Sequence, residues 1–327
     1  MRWIRTWLCL FAVTAALSAQ AVERPSSETP EELRHQILLW PGGTGPGSEN
    51  APAQPTLVEH SDDAAIPDRS IRGIRAPYMV VYKPRHPNGS ALLVVPGGGY
   101  AHIVIDNEGT SLVPTFADRA GITLYVLRYR LPDEGHVDGR NAPLADAQRA
   151  LRLIRARAKD DGIDTARVGV MGFSAGGHVA ASLSTRFDEA VYAPVDAADR
   201  LSARPDVSLL IYPVIDMGDA IGHTGSRKRL LGTHPDAQAV HDYSLQNRVT
   251  ARTPPTFLLA AQDDDVVPVQ NTLVYAQALL AAGVPSELHV FPKGGHGFSV
   301  RRIQGLTLAA WPRLAVDWIA WQTTSAH

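Results

Sequence analysis

Residues 167–176 read Arg-Val-Gly-Val-Met-Gly-Phe-Ser-Ala-Gly, and small residues continue from there to Thr185. An apolar strand runs straight into a helix, with Gly172-Phe173-Ser174-Ala175-Gly176 at the joint. As a bare pattern, Gly-x-Ser-x-Gly arises roughly 0.1 times in a chain of this length from average glycine and serine usage. Its strand–turn–helix setting gives it content. The turn is so sharp that strand and helix nearly touch, and a Cβ at Gly172 or Gly176 would collide. The Ser174 hydroxyl then stands clear at the carboxyl end of a sheet. The Ala175 N–H opens the helix and faces the same spot, where the helix dipole favours negative charge. The plainer alternative is a serine N-cap on a tightly packed βα turn.

The rest of the chain supplies a frame for that turn. Apolar or β-rich runs at Tyr78–Tyr82, Ala91–Val95, Ile122–Arg128, Val207–Tyr212, Thr256–Ala261 and Glu287–Phe291 predict strands. Helical spacing predicts helices at Ala142–Lys159, Ala175–Thr185, Leu273–Ala282 and Ala309–Trp321. Buried strands alternating with helices predict an α/β fold: a mostly parallel central sheet covered by helices on both faces. Residues 40–55, rich in Gly and Pro, predict a loop, and no Gly-Lys-Ser/Thr follows its glycines to hold a phosphate. The polar excursions 186–206 and 216–252 sit where such folds keep substrate contacts.

The N-terminus carries Arg2 and Arg5, an apolar run from Leu8 to Leu17, and Ala19-Gln20-Ala21. This is the layout of a secretory signal peptide cleaved after Ala21, and ten apolar residues are too few to cross a bilayer. The expectation is a secreted or periplasmic protein that is not held in a membrane. Residues 22–35, polar and acidic, are expected to be a disordered leader, and residues 36–327 a single catalytic domain. Cys9 is the only cysteine, so the processed chain would hold no thiol for catalysis or metal binding. Removing Arg2 and Arg5 moves the net charge from −2 to −4, and no basic tract suggests a nucleic-acid partner. The histidines show no tight metal-ligand spacing, and no metal is expected.

A serine hydroxyl needs a base to take its proton, and three further segments complete a nucleophile site in the chain order that such turns use. Upstream, Pro96-Gly97-Gly98-Gly99-Tyr100 ends an apolar strand, and the N–H groups of Gly98 and Gly99, with Ala175, are candidates to bind an oxyanion. Downstream, a strand runs into Gln262-Asp263-Asp264-Asp265; Asp264 is the candidate acid, with Asp263 and Asp265 as alternatives. The last strand runs into Pro292-Lys-Gly-Gly-His296-Gly-Phe, whose glycines let a loop carry His296 over the serine as general base. His178, one turn into the helix after Ser174, reads as a packing or hydrogen-bonding residue. His102 follows the glycine loop and is a candidate to touch substrate.

With these residues in place, the chain resembles the bacterial acetylxylan-esterase-like family of α/β hydrolases, related to the hormone-sensitive-lipase-like esterases and more distantly to prolyl-oligopeptidase-type peptidases. The matching segments include LLWPGGTGPG, LLVVPGGGY, NEG at 107–109, LRYRLP, VGVMGFSAGGHVAA, TPPTFLLAAQDDDVVP and AGVPSELHVFPKGGHGF, and the resemblance spans nearly all of residues 38–321. It implies the α/β-hydrolase fold. It implies cofactor-free hydrolysis of small acyl esters, often acetyl groups on plant cell-wall polysaccharide such as xylan, with Ser174, Asp264 and His296 as the triad. Tyr100, His102 and Glu108 are then candidate substrate contacts. Three other functions fit parts of the pattern: an esterase for aryl, feruloyl or other small-molecule substrates, a serine exopeptidase, and a carbohydrate-binding relative without catalysis.

Overall fold

The apolar runs become the central strands of one large sheet, and short strands, three of them before Tyr78, build a second, smaller one. The computed structural model describes residues 24–324; the expected signal peptide lies outside them. In chain order the strands are β1 (Arg24–Pro25), β2 (Gln36–Leu38), β3 (Thr56–Glu59), β4 (Arg69–Arg72), β5 (Tyr78–Tyr82), β6 (Ala91–Val95), β7 (Ile103–Val104), β8 (Thr123–Arg128), β9 (Val168–Phe173), β10 (Ser208–Ile211), β11 (Thr256–Ala261) and β12 (Ser286–Phe291). The α-helices are α1 (Pro30–Arg34), α2 (Ala142–Ala156), α3 (Ala158–Asp161), α4 (Ser174–Thr185), α5 (Thr224–Leu231), α6 (Ala237–Tyr243), α7 (Gln270–Ala281) and α8 (Trp311–Thr324), and Val113–Arg119 forms a π-helix.

The large sheet runs β12-β11-β10-β9-β6-β8-β5-β2. Neighbours are parallel from β12 to β8, and β5 and β2 add antiparallel at one edge. This is the α/β fold that the alternation predicts. Side chains of β6 divide between the two faces, as a period of two requires. Leu93 and Val95 pack with Leu151, Val179 and Leu279 in one core; Leu92 and Val94 pack with Phe116, Trp311 and Trp318 in the other. Burial of each such aliphatic side chain stabilises the fold by roughly 1.5–3 kcal/mol.

The parallel order matters for chemistry because it brings strand carboxyl ends to one edge. The chain leaves β6 for β8 on one side and returns to β9 on the other. A crevice opens at such a reversal, and it is where ligands settle in open α/β sheets. Val95 pairs with Gly172 across it, so the glycine loop after β6 and the turn after β9 emerge side by side.

The smaller sheet, β1-β3-β4-β7, is antiparallel. Its presence corrects the expectation of a disordered leader. Of residues 22–35, those from Arg24 onward are built into the fold: Arg24 and Pro25 pair with Glu59 and Val58. Helix α1 starts with a capping box, in which Thr29 Oγ1 accepts the Glu32 N–H at 3.1 Å and Glu32 Oε2 accepts the Thr29 N–H at 2.6 Å. The acidic character that suggested a solvated leader has a buried partner. Glu32 Oε1 and Oε2 accept from Arg69 on β4 at 2.7 and 2.9 Å. Burial alone would raise the Glu32 pKa, but the Arg69 guanidinium and the Thr29 N–H outweigh it and hold the carboxyl at about 2.

Candidate active site

The turn after β9 is as tight as the sequence requires. A Cβ on Gly172 would lie 2.4 Å from the Gly176 carbonyl oxygen, and one on Gly176 would lie 2.1 Å from that of Val95. Ser174 is forced to φ +51°, a region costly for a residue with a side chain. Among the described residues, the other non-glycine positions with positive φ are Tyr100, Tyr212 and Ser299. Tyr100 follows the glycine loop, Tyr212 follows β10, and Ser299 follows the histidine loop, so backbone strain gathers around one site.

His296 reaches that site from the loop after β12. Its Nε2 lies 2.8 Å from Ser174 Oγ and its Nδ1 2.8 Å from Asp264 Oδ2. An ionised carboxylate only accepts, so Nδ1 carries the proton and Nε2 accepts from the serine hydroxyl. Asp264 is turned inward because its other oxygen, Oδ1, accepts the N–H groups of Val266 and Val267 at 3.0 and 2.9 Å. Of the three consecutive aspartates, Asp264 therefore meets the histidine. Asp263 instead accepts the Gly295 N–H at 2.9 Å and steadies the base of the same loop, while Asp265 is exposed.

The glycine loop presents its N–H groups through fixed peptide planes. The Gly97 carbonyl accepts from Val104 N–H at 3.0 Å, and the Gly98 carbonyl accepts from Ala101 at 2.9 Å and His102 at 3.3 Å. In a trans peptide the N–H points opposite the carbonyl, so the N–H groups of Gly98 and Gly99 face away from those bonds. Neither donates to a partner among the described residues. Gly98, Gly99 and Ser174 line one cleft of about 990 Å³, and Ala175 is the second residue of α4. A hydroxyl, an imidazole, a carboxylate and outward N–H groups thus share one place, an arrangement able to form and break an acyl bond.

The candidate substrate contacts divide. His102 lines the cleft. Tyr100 does not: its side chain is buried, and its hydroxyl donates to His178 Nδ1 at 2.8 Å. Its positive φ turns it into the core, where His178 Nε2 donates in turn to the Tyr243 carbonyl at 2.9 Å. His178 is thus the hydrogen-bonding residue that the sequence predicts. Glu108 borders the cleft but is 3% exposed. Its oxygens accept the Gly97 N–H at 2.7 Å and the Tyr212 hydroxyl at 2.9 Å, so its carboxylate is held by the protein. Burial raises its pKa, and those two hydrogen bonds oppose the rise.

Other cleft residues carry no sequence signal of their own. Ser70 on β4 and His60, the residue after β3, come from the side of the smaller sheet, with His60 Nε2 2.8 Å from Ser70 Oγ. His223 caps α5, its Nδ1 accepting the Ser226 N–H at 3.2 Å, which leaves the proton of the neutral ring on Nε2. Burial, and then the neighbouring His296, lowers the His223 pKa and favours that neutral form. Its ring is the contribution of the 216–252 excursion to the cleft wall.

Comparisons with known proteins identify the fold. A family described as the alpha/beta hydrolase fold matches residues 92–300. The chain is 37% identical over 224 residues to an acetylxylan esterase of Xylanibacter ruminicola, covering 67% of this chain and 43% of the esterase. It is 39% identical over 209 residues to endo-1,4-beta-xylanase B of Butyrivibrio fibrisolvens, covering 64% of this chain and 32% of the xylanase. The chain thus spans less than half the length of either curated relative. The crystal structure of an acetyl ester-xyloside bifunctional hydrolase from Caldicellulosiruptor lactoaceticus superposes with a TM-score of 0.66 at 35% identity, over 94% of this chain and 98% of that one.

Proposed function

The chain belongs to the α/β-hydrolase family, in its acetylxylan-esterase-like branch, and on that premise we propose that it is an exported serine carboxylic ester hydrolase that removes acetyl groups from plant cell-wall polysaccharide such as xylan. The observation that carries the reading is His296, whose two ring nitrogens each lie 2.8 Å from their partners, Ser174 and Asp264, beside the outward N–H groups of the glycine loop. The similarity to an acetylxylan esterase and to an acetyl ester-xyloside hydrolase supports the acyl group and the sugar. A cleft of about 990 Å³ has room for more than an acetyl group. Arg2, Arg5 and the apolar run that follows support export.

In this mechanism Ser174 Oγ attacks the ester carbonyl while His296 Nε2 takes its proton. The N–H groups of Gly98, Gly99 and Ala175 receive the oxyanion, and Asp264 holds the imidazolium that forms. His296 then gives the proton to the departing sugar oxygen. Water, deprotonated by His296, attacks the acyl-enzyme and releases acetate and Ser174. The test is Ser174→Ala assayed on p-nitrophenyl acetate and on acetylated xylan. The expected loss is at least ~10⁴-fold in kcat with folding intact; turnover within tenfold of the unsubstituted protein overturns the mechanism. Acetate release from aryl acetates but not from acetylated xylan would replace the sugar with a small aryl substrate.

A further inference from the structure

We infer that Asn107 and Glu108 form a clasp that ties the glycine loop to the histidine loop, with Glu108 acting as a positioning residue for the oxyanion donors. The inference rests on the ester-hydrolase reading above. It starts from a short turn whose consecutive side chains point three ways. Asp106 is buried and anchored to β4, its carboxylate accepting from Arg69 Nε and Nη2, each at 2.9 Å, and from the Arg69 backbone N–H at 2.7 Å. With that end fixed, the next two residues reach opposite sides of the site.

Asn107 Nδ2 donates to the Gly297 carbonyl at 2.9 Å, one residue beyond His296. Arg302 Nη2 donates to the same carbonyl at 2.7 Å and to that of His296 at 2.8 Å. Glu108 Oε2 accepts the Gly97 N–H, while Oε1 accepts the hydroxyl of Tyr212. The Tyr212 ring packs edge-on against His296 at 5.0 Å between centroids and against Phe298 at 4.6 Å. One dipeptide therefore holds the first residue of the glycine loop, the carbonyl after the histidine, and the aromatic ring beneath the histidine.

The consequence for chemistry follows from the peptide planes. Gly97 is fixed at its N–H by Glu108 and at its carbonyl by Val104. The Glu108 bond holds the Pro96–Gly97 peptide and the Val104 bond holds the Gly97–Gly98 peptide, so together they fix both planes on either side of Gly97, the second being the one from which the Gly98 N–H projects. Space enforces the arrangement: a Cβ on Gly97 would lie 2.9 Å from Glu108 Oε2 and 2.8 Å from Ser174 Cβ. Without the carboxylate, the Gly97 N–H loses its buried acceptor, the Val104 bond alone holds the next plane, and its N–H can shift away from the oxyanion. A shift of that kind weakens binding of the transition state more than binding of the ester.

The experiment compares Glu108→Ala, Glu108→Gln and Asn107→Ala on p-nitrophenyl acetate, with Ser174→Ala as control and melting temperatures recorded. Glu108→Ala is expected to lower kcat ~100-fold, as loss of an oxyanion donor does, with KM within ~3-fold. Glu108→Gln still offers an oxygen to the Gly97 N–H and an NH₂ to the Tyr212 oxygen, and it is expected to recover kcat to within ~10-fold of the unsubstituted protein. Asn107→Ala is expected to lower kcat ~10-fold by loosening the His296 loop. If Glu108→Ala keeps kcat within ~2-fold, or if its loss lies in KM, the clasp is refuted and Glu108 is at most a substrate contact. Equal damage from Gln and Ala also refutes it. Should Glu108→Ala fail to fold, Tyr212→Phe keeps the ring and removes the hydroxyl: a fall in kcat at constant KM supports the clasp, and an unchanged kcat overturns it. Activity surviving in Ser174→Ala would instead refute the Ser174 mechanism on which the clasp rests.

Discussion

Asp264 holds His296 from the side opposite Ser174, with Oδ2 2.8 Å from Nδ1, while its other oxygen is committed to the backbone of Val266 and Val267. The carboxylate cannot swing away without breaking two further bonds. Asp264→Asn is expected to lower kcat by about 10⁴-fold, because an amide NH₂ facing Nδ1 favours the tautomer whose Nε2 cannot accept the serine proton. Asp265→Ala, which removes an exposed side chain, is expected to leave kcat within ~2-fold. Steady-state kinetics on p-nitrophenyl acetate for the two variants checks both; a comparable loss in Asp265→Ala would contradict the assignment.

The smaller sheet gives the cleft a wall that small aryl esters have little reason to touch. His60 sits there, beside Ser70 and with its ring 6.5 Å from that of His102. His60→Ala is expected to raise KM for acetylated xylo-oligosaccharides ~5-fold or more and to leave kcat/KM for p-nitrophenyl acetate within ~2-fold, since a contact to the alcohol portion contributes to binding rather than to the acyl transition state. Equal effects on both substrates would move His60 out of the substrate wall.

Glu32 carries the contact between the N-terminal segment and the site. Arg69 bridges it to Asp106, which anchors the turn holding Asn107 and Glu108. Glu32→Ala leaves the buried Arg69 guanidinium short of a partner and is expected to cost roughly 3–5 kcal/mol of stability in urea unfolding at neutral pH. The Glu32 pKa is depressed on folding, to about 2 from an ordinary value of 4.5. Its stabilisation is therefore fully present above pH 4.5 and is lost as pH falls towards 2. Stability of Glu32→Ala within 1 kcal/mol of the unsubstituted protein would show that the segment is dispensable.

The central sheet was legible in the sequence because its strands are solid apolar runs: Ala91–Val95 and Thr256–Ala261 fall where hydrophobicity alone puts them. The smaller sheet was not. Its strands are two to four residues long, and β4 buries Arg69 and Ser70, a polar pattern that reads as loop. Ser174 and His296 stood out through their glycine-rich settings. Asp264 could not be separated from its neighbours by spacing, since the choice depends on which carboxylate the Val266 and Val267 N–H groups draw inward. Glu108 could be marked only as part of a matching tripeptide. Its partners, Gly97 and Tyr212, lie 11 and 104 residues away, and only the fold brings them together. Tyr100 misled because adjacency to a functional loop says nothing about direction; a φ of +60° turns the ring inward.

Two buried histidines away from the reacting atoms set how the fold meets acid. Burial lowers the pKa of His178 to about 4, and Arg186 pushes the same way against the Tyr243 carbonyl. His136, packed beside Ser48 with Nδ1 3.0 Å from its hydroxyl, is lowered to about 4 by burial and then by Arg130. Both are neutral in the folded chain at pH 7, whereas an unfolded histidine takes a proton near 6.5. Protons therefore favour the unfolded state between those values. Their stabilisation is complete above pH 6.5 and falls as pH drops towards 4. Urea unfolding at pH 7, 6, 5 and 4 is expected to show this decline beginning well before carboxylates titrate. His136→Asn, which removes one of these groups, is expected to be less stable at pH 7 and to show a shallower decline. An unfolding free energy that stays level from pH 7 to 5 would mean that neither histidine is held neutral by the fold.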